Sequence, residues 1–91
     1  MNIPNKIQIA GKTIDVVMED MKDIDYCWGK TYFGTGKIGI AKNMSDEQKQ
    51  ITFIHELVHM IFETMGESEL RDNEKIVHGL AELLYQVVKQ I

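Results

Sequence analysis

The chain has 91 residues, 44% apolar and 26% charged, enough for one domain with a single modest core and too few for two. Ten Lys and Arg stand against fourteen Asp and Glu, and no basic cluster offsets the net charge of −4, so the composition argues against a nucleic-acid-binding surface. No stretch is long and apolar enough to span a bilayer, Met1-Asn2-Ile3-Pro4-Asn5-Lys6 lacks the apolar core of a signal peptide, and the single cysteine, Cys27, has no internal partner; a reducing, cytoplasmic setting is expected.

The first half reads as strands. Lys6-Ile7-Gln8-Ile9 alternates, Ala10-Gly11-Lys12 turns, and Thr13 to Met18 returns, which is a hairpin signal. The acidic stretch from Asp20 to Asp25 reads as a loop or an irregular crossing. Tyr26 to Phe33 carries β-favouring aromatics, Gly34-Thr35-Gly36 turns, and Lys37-Ile38-Gly39-Ile40-Ala41 makes another strand. A three- or four-stranded, mostly antiparallel sheet follows. Asn43 or Ser45 then caps a helix with Asp46 and Glu47 in its first turn and Gln48 completing a capping box; it runs to about Met65, where Gly66 ends it. A second helix covers about Asp72 to Gln90. The expected fold is α+β, a single domain over residues 1–91 with the sheet followed by two packed helices.

The first helix carries His55-Glu56-Leu57-Val58-His59, the signature H-E-x-x-H. At 3.6 residues per turn the two imidazoles share one face and can reach one metal ion, whereas Glu56 lies about 100° round the helix, placed to take a proton from water rather than to ligate. Around the motif, Ile51, Phe53, Ile54, Leu57, Val58, Met60, Ile61 and Phe62 make the helix apolar nearly all round, so it is expected to be buried. Buried histidines and a buried acid need partners, and a metal supplies one.

A catalytic zinc ordinarily has three protein ligands and one open position. A third His on an extended motif fails, because the Gly and His it needs are Phe62 and Met65 here. A Glu from the second helix fits better. Val77, Leu80, Ala81, Leu84, Val87 or Val88, and Ile91 form an apolar stripe at steps of three and four, and Glu74 extends it one turn backward, toward the core; its alternative is a solvated first-turn acid favouring the helix N-terminus. Glu63, Glu67 and Glu69 are the competitors. Glu63 lies one turn beyond His59 on the same helix, where it cannot easily wrap round the ion, and Glu67 and Glu69 fall in the connecting turn. His78, one turn from Glu74, has three readings: polarising a substrate carbonyl, hydrogen-bonding the Glu74 carboxylate, or standing as a flanking surface residue. Tyr85 and Tyr32 are candidate donors to a tetrahedral oxyanion, with a structural role as the alternative for each.

His55 to His59, the turn through Gly66, and Asn73-Glu74 opening a helix that reads Ile76-Val77-His78-Gly79-Leu80-Ala81 together resemble the minimal gluzincins, specifically the small phage and prophage proteins grouped with ImmA/IrrE-type metallopeptidases. The resemblance covers nearly the whole chain, including the β-rich first half and the Ile38-Gly39-Ile40 strand. It implies a zincin-like metallopeptidase domain in which His55, His59 and Glu74 bind Zn²⁺ and Glu56 is the base that passes a proton to the leaving amine. In such peptidases an extended substrate lies against an exposed strand beside the metal, which offers Ile38, Gly39 and Ile40 as a substrate-binding edge; the equal alternative is that Gly36 and Gly39 only ease a tight turn and a twist. Two departures stand out: His78 occupies the position of a frequent acidic residue, and the span from His59 to Glu74 leaves no room for an inserted subdomain. The resemblance therefore implies a peptide or protein substrate. The alternatives are a non-catalytic, zinc-stabilised module of phage type that binds a host or phage regulator, a deformylase-like enzyme with Cys27 as ligand, and a metal-free helical adaptor; Cys27 otherwise reads as an inert thiol.

Overall fold

In the computed structural model, which describes residues 1–91, the N-terminal alternation forms β1 (Lys6–Ile9) and β2 (Lys12–Glu19). Ala10 and Gly11 join them at φ 50° and 79°, two consecutive left-handed residues whose twist matches that of an antiparallel hairpin. The acidic crossing is a 3₁₀ turn, Met21–Ile24, and leads to β3 (Gly29–Tyr32) and β4 (Lys37–Ala41). Strand order is β1-β2-β4-β3. The outer pairs are antiparallel and the central pair, β2 with β4, is parallel, so the sheet is mixed. The crossing carries the chain to the far edge first, and β4 then folds back into the gap beside β2.

That order corrects the assignment of Ile38, Gly39 and Ile40 to a substrate-binding edge. β4 is hydrogen-bonded on both sides, and Ile38 and Ile40 have no exposed surface. The two isoleucines join the core shared with the helices, while Gly39, on the opposite face, lies under Glu19 and Ile24. A continuous apolar run covered on both faces belongs in the middle of a sheet. The edge that meets the helices is β3.

The long helix α1 (Asp46–Met65) starts where Ser45 Oγ accepts from the Gln48 N–H at 3.1 Å and ends at Gly66, whose φ of 75° lets Glu67 N–H turn back to the Phe62 carbonyl at 2.9 Å. The connection contains a single turn, α2 (Ser68–Arg71). The last helix, α3 (Glu74–Val88), is capped by Asn73, whose Oδ1 accepts from the Ile76 N–H at 3.2 Å. Ile14, Val16, Ile38 and Ile40 from the sheet pack against Phe53, Ile54, Val58, Met60 and Phe62 of α1 and Val77 and Ala81 of α3. Leu80 and Leu84, expected in the buried stripe, keep 38% and 37% of their surface, and Leu83 and Val87 keep more than half. No helix is long and apolar enough to cross a membrane.

Candidate metal centre

α1 presents His55 and His59 from successive turns, with ring centroids 5.2 Å apart. α3 runs back along α1: Tyr85 near its end donates to Gln50 Oε1 at 3.5 Å, and its first residue, Glu74, arrives at the histidines. Glu74 Oε2 lies 3.2 Å from His55 Nε2, and Glu74 Oε1 lies 3.0 Å from His59 Nε2. One donor atom from each of the three residues falls within 4.8 Å of the others. Glu74 does not point into the core as its place in the stripe suggested. It is the first residue of α3, its side chain 68% exposed at the mouth of a groove, where the positive end of the helix dipole also favours an acid.

The hydrogen bond on the far side of His59 fixes what this cluster asks for. His59 Nδ1 is 2.7 Å from the Arg71 carbonyl, which can only accept, so Nδ1 carries the proton. In neutral imidazole Nε2 is then a bare lone pair, and it faces a carboxylate oxygen at 3.0 Å. Two acceptors at that distance require a cation between or beside them, either a proton or a metal ion. Ligands about 2.0–2.1 Å from a tetrahedral ion are separated by roughly 3.3 Å, close to both His–Glu separations here. The two imidazoles and one carboxylate thus match zinc in donor type, with one donor atom of each within 4.8 Å of the others.

The residue whose carbonyl bonds His59 is anchored through its side chain. Arg71 Nε and Nη2 donate to the Asp72 carboxylate at 2.8 and 3.0 Å, Nη1 pairs with Glu63, and the guanidinium stacks 5.1 Å from the centre of the Phe33 ring. Asp72 and Glu63 hold the Arg71 guanidinium well above its ordinary value, so it stays charged throughout. Glu63 thus pairs with Arg71, and Glu63, Glu67 and Glu69 all lie outside the donor cluster.

Glu56 is beside the donors and not among them. It is 8% exposed, and Thr31 Oγ1 donates to its Oε1 at 2.8 Å and to its main-chain carbonyl at 3.1 Å. Burial pushes the Glu56 carboxyl up; the Thr31 hydrogen bond and then the two histidines oppose that, and Glu74 adds to it. Gly29 makes this closeness possible, because a Cβ there would meet Thr52 Cγ2 at 2.6 Å and Glu56 Cγ at 3.0 Å. Pairing of Thr31 with Ile38 puts Thr31 on the helix side of the sheet, and Gly29, two residues back, shares that face. The resulting groove, about 430 Å³, runs between β3 and the helices and is lined by Gly29, Lys30, Thr31, Phe33, His55, Glu56, His59, Asp72 and Glu74.

Other candidates lie outside the donor set. His78 is 63% exposed, pairs with Glu82 at 3.2 Å, and makes no hydrogen bond to Glu74; its ring is 6.1 Å from that of His55. Tyr85 is engaged at the opposite end of α3, and Tyr32 turns to the other face of the sheet, toward Glu19 at 3.4 Å. Cys27 is exposed. Thr31, Gly29 and Arg71 were not anticipated. Only the alternation of β3 could have singled out Thr31, once its face was known. No protein-family model, curated protein or solved structure matches this chain.

Proposed function

We propose that the protein is a zinc-dependent peptidase with a zincin-like fold, in which His55, His59 and Glu74 hold the metal and Glu56 moves the proton. The observation that carries this reading is the division of labour between neighbouring acids. Glu74 faces two imidazole nitrogens at 3.0 and 3.2 Å, while Glu56, drawn out of water beside them, is bonded by a neutral hydroxyl alone. Zinc bound by the three donors would supply Lewis-acid polarisation of a carbonyl and acidify a water. The protein's own groups provide the rest. Thr31 fixes the Glu56 carboxylate through Oε1, and the low exposure of Glu56 raises its proton affinity toward the range useful for a base that must later act as an acid. The Arg71 carbonyl keeps the proton of His59 on Nδ1, so Nε2 is available to the metal. β3 has a free edge along the groove, suited to an extended peptide held by main-chain hydrogen bonds.

The test joins metal content to cleavage. The protein should hold one zinc per chain and cleave members of a peptide library. Glu56→Gln should keep the metal and lose about 10²- to 10⁴-fold in rate, whereas His59→Ala should lose the metal. Zinc content near zero after metal loading, or a Glu56→Gln variant that cleaves like the parent, overturns the proposal. A second reading, a zinc-stabilised binding module without catalysis, is favoured by the exposed apolar residues Ile76, Leu80, Leu83, Leu84 and Val87 on α3. Stoichiometric zinc without cleavage of any peptide would select it.

A further inference from the structure

A second cavity, about 440 Å³, adjoins the metal centre and shares His55 and Glu56 with it as walls. The first groove is polar. The second is walled by Trp28, Ile51 and Cys27 on the far side of those two residues, with Thr52 beside them and Gln48 and His78 completing the lining. Trp28 immediately precedes β3, and Gly29, Lys30 and Thr31 of β3 line the first groove. An extended chain on the free edge of β3 advances about 3.3 Å per residue and so passes from one cavity to the other within a few residues.

The wall is rigidly built. Asp25 and Tyr26 both sit at φ 58°, a left-handed conformation that Asp adopts readily as the cap of the 3₁₀ turn but that is uncommon for Tyr. Hydrogen bonds pin the loop: Tyr26 N–H donates to the Met21 carbonyl at 2.8 Å, Cys27 N–H to the Ile24 carbonyl at 3.0 Å, and Lys30 Nζ to Asp25 at 2.8 Å, while the Trp28 carbonyl accepts from Ala41 N–H at 2.8 Å. This pinned loop displays the only tryptophan of the chain with 58% of its surface exposed, outside the core cluster. A large indole on this loop, more than half exposed beside the proposed base, offers an apolar surface for binding.

We propose that this cavity receives a large apolar side chain, of phenylalanine or leucine size, from a peptide lying along β3, and that Trp28 is its specificity-determining residue. The inference rests on the peptidase reading for the ligand being a peptide. Because Trp28 is the only tryptophan, its fluorescence reports occupancy directly. Zinc-loaded Glu56→Gln protein, which should bind without cleaving, is titrated with blocked Gly-Gly-Xaa-Gly-Gly peptides in which Xaa is Phe, Leu, Gly or Asp. The Phe and Leu peptides should move Trp28 emission to shorter wavelength and bind at least about tenfold tighter than the Gly peptide, a ratio worth about 1.4 kcal/mol. Adding Cys27→Leu, which narrows the cavity from its exposed side, should erase that ratio with zinc content unchanged. Equal responses to all four peptides, or a ratio that survives Cys27→Leu, overturn the proposal. Selective binding of the Phe peptide by a protein whose parent form cleaves nothing would sink the peptidase reading and leave the cavity standing; cleavage indifferent to Xaa with a silent Trp28 would do the reverse.

Discussion

Glu56 is the one buried acid of this chain, and its only hydrogen-bond donor is uncharged. In the metal-free protein this has a calculable sign. Burial raises the folded carboxyl above its unfolded value, so the folded state binds the proton more tightly; that stabilisation is complete below the ordinary carboxylate range and is lost as pH rises through the raised folded value. Glu56→Gln keeps an acceptor for Thr31 and removes the charge. Melted without metal from acidic to neutral pH, the variant should match the parent at the acid end and unfold at a higher temperature at the neutral end; curves that stay parallel across the range contradict the assignment. The motif itself was legible in the sequence because helix periodicity converts spacing into a shared face for His55 and His59. Thr31 was not, since it reaches Glu56 across 25 residues through a strand pairing that no local pattern announces.

At the scale of elements, the site depends on how closely β3 and α1 approach and on what fixes the turn between α1 and α3. Gly29→Ala places a Cβ 2.6 Å from the methyl of Thr52, a β-branched residue 5% exposed on a helix and unable to step aside. The strand must separate from α1, at a cost of about 1–3 kcal/mol by the usual scale of overpacking. Denaturant titration measures that loss, and the proposed hydrolysis should fall further than stability because Thr31 moves with the strand; an unchanged unfolding midpoint contradicts the close approach. Arg71→Ala frees the carbonyl that holds His59 Nδ1 and should weaken zinc binding about 10- to 100-fold in competition with a chelator. Affinity equal to the parent's would show that the main chain holds that carbonyl without the side chain's contacts to Glu63, Asp72 and Phe33. Helix α1 was readable from its two ends, Ser45 and Gly66, each with a local chemical reason. The order of strands was not, because the parallel pairing of β2 with β4 is set by a crossing of irregular backbone; even so, the unbroken run Ile38-Gly39-Ile40-Ala41 carried the sign of a central strand, and composition outweighs proximity to the motif as a guide to edges.

Across the whole molecule, α3 stands out as a long helix with little apolar burial for its length. Its stripe was legible from spacing, but spacing does not say how wide an arc a neighbour will cover. Only Val77 and Ala81 are buried, and Leu83 and Val87 remain more than half exposed. The proposed metal spans the seam between two helices, since two ligands belong to α1 and the third is the first residue of α3. Binding to the folded state alone stabilises by about 2.7 kcal/mol when free zinc is 100 times the dissociation constant. For a domain of this size each kcal/mol raises the melting temperature by about 4–8 °C, so zinc should raise it by roughly 10–20 °C and a chelator should reverse the gain. The gain should be local as well as global: amide exchange in α3 should slow on zinc addition more than exchange in β2 or β4, whose protection already comes from the sheet. Glu74→Ala should leave the metal-free melting temperature near the parent's, because a side chain 68% exposed contributes little to packing, and should abolish the response of α3 to zinc. Were α3 to exchange at the same rate with and without zinc while His55 and His59 bound it, the third ligand would have to come from elsewhere than α3, and the bridge between the two helices would not exist.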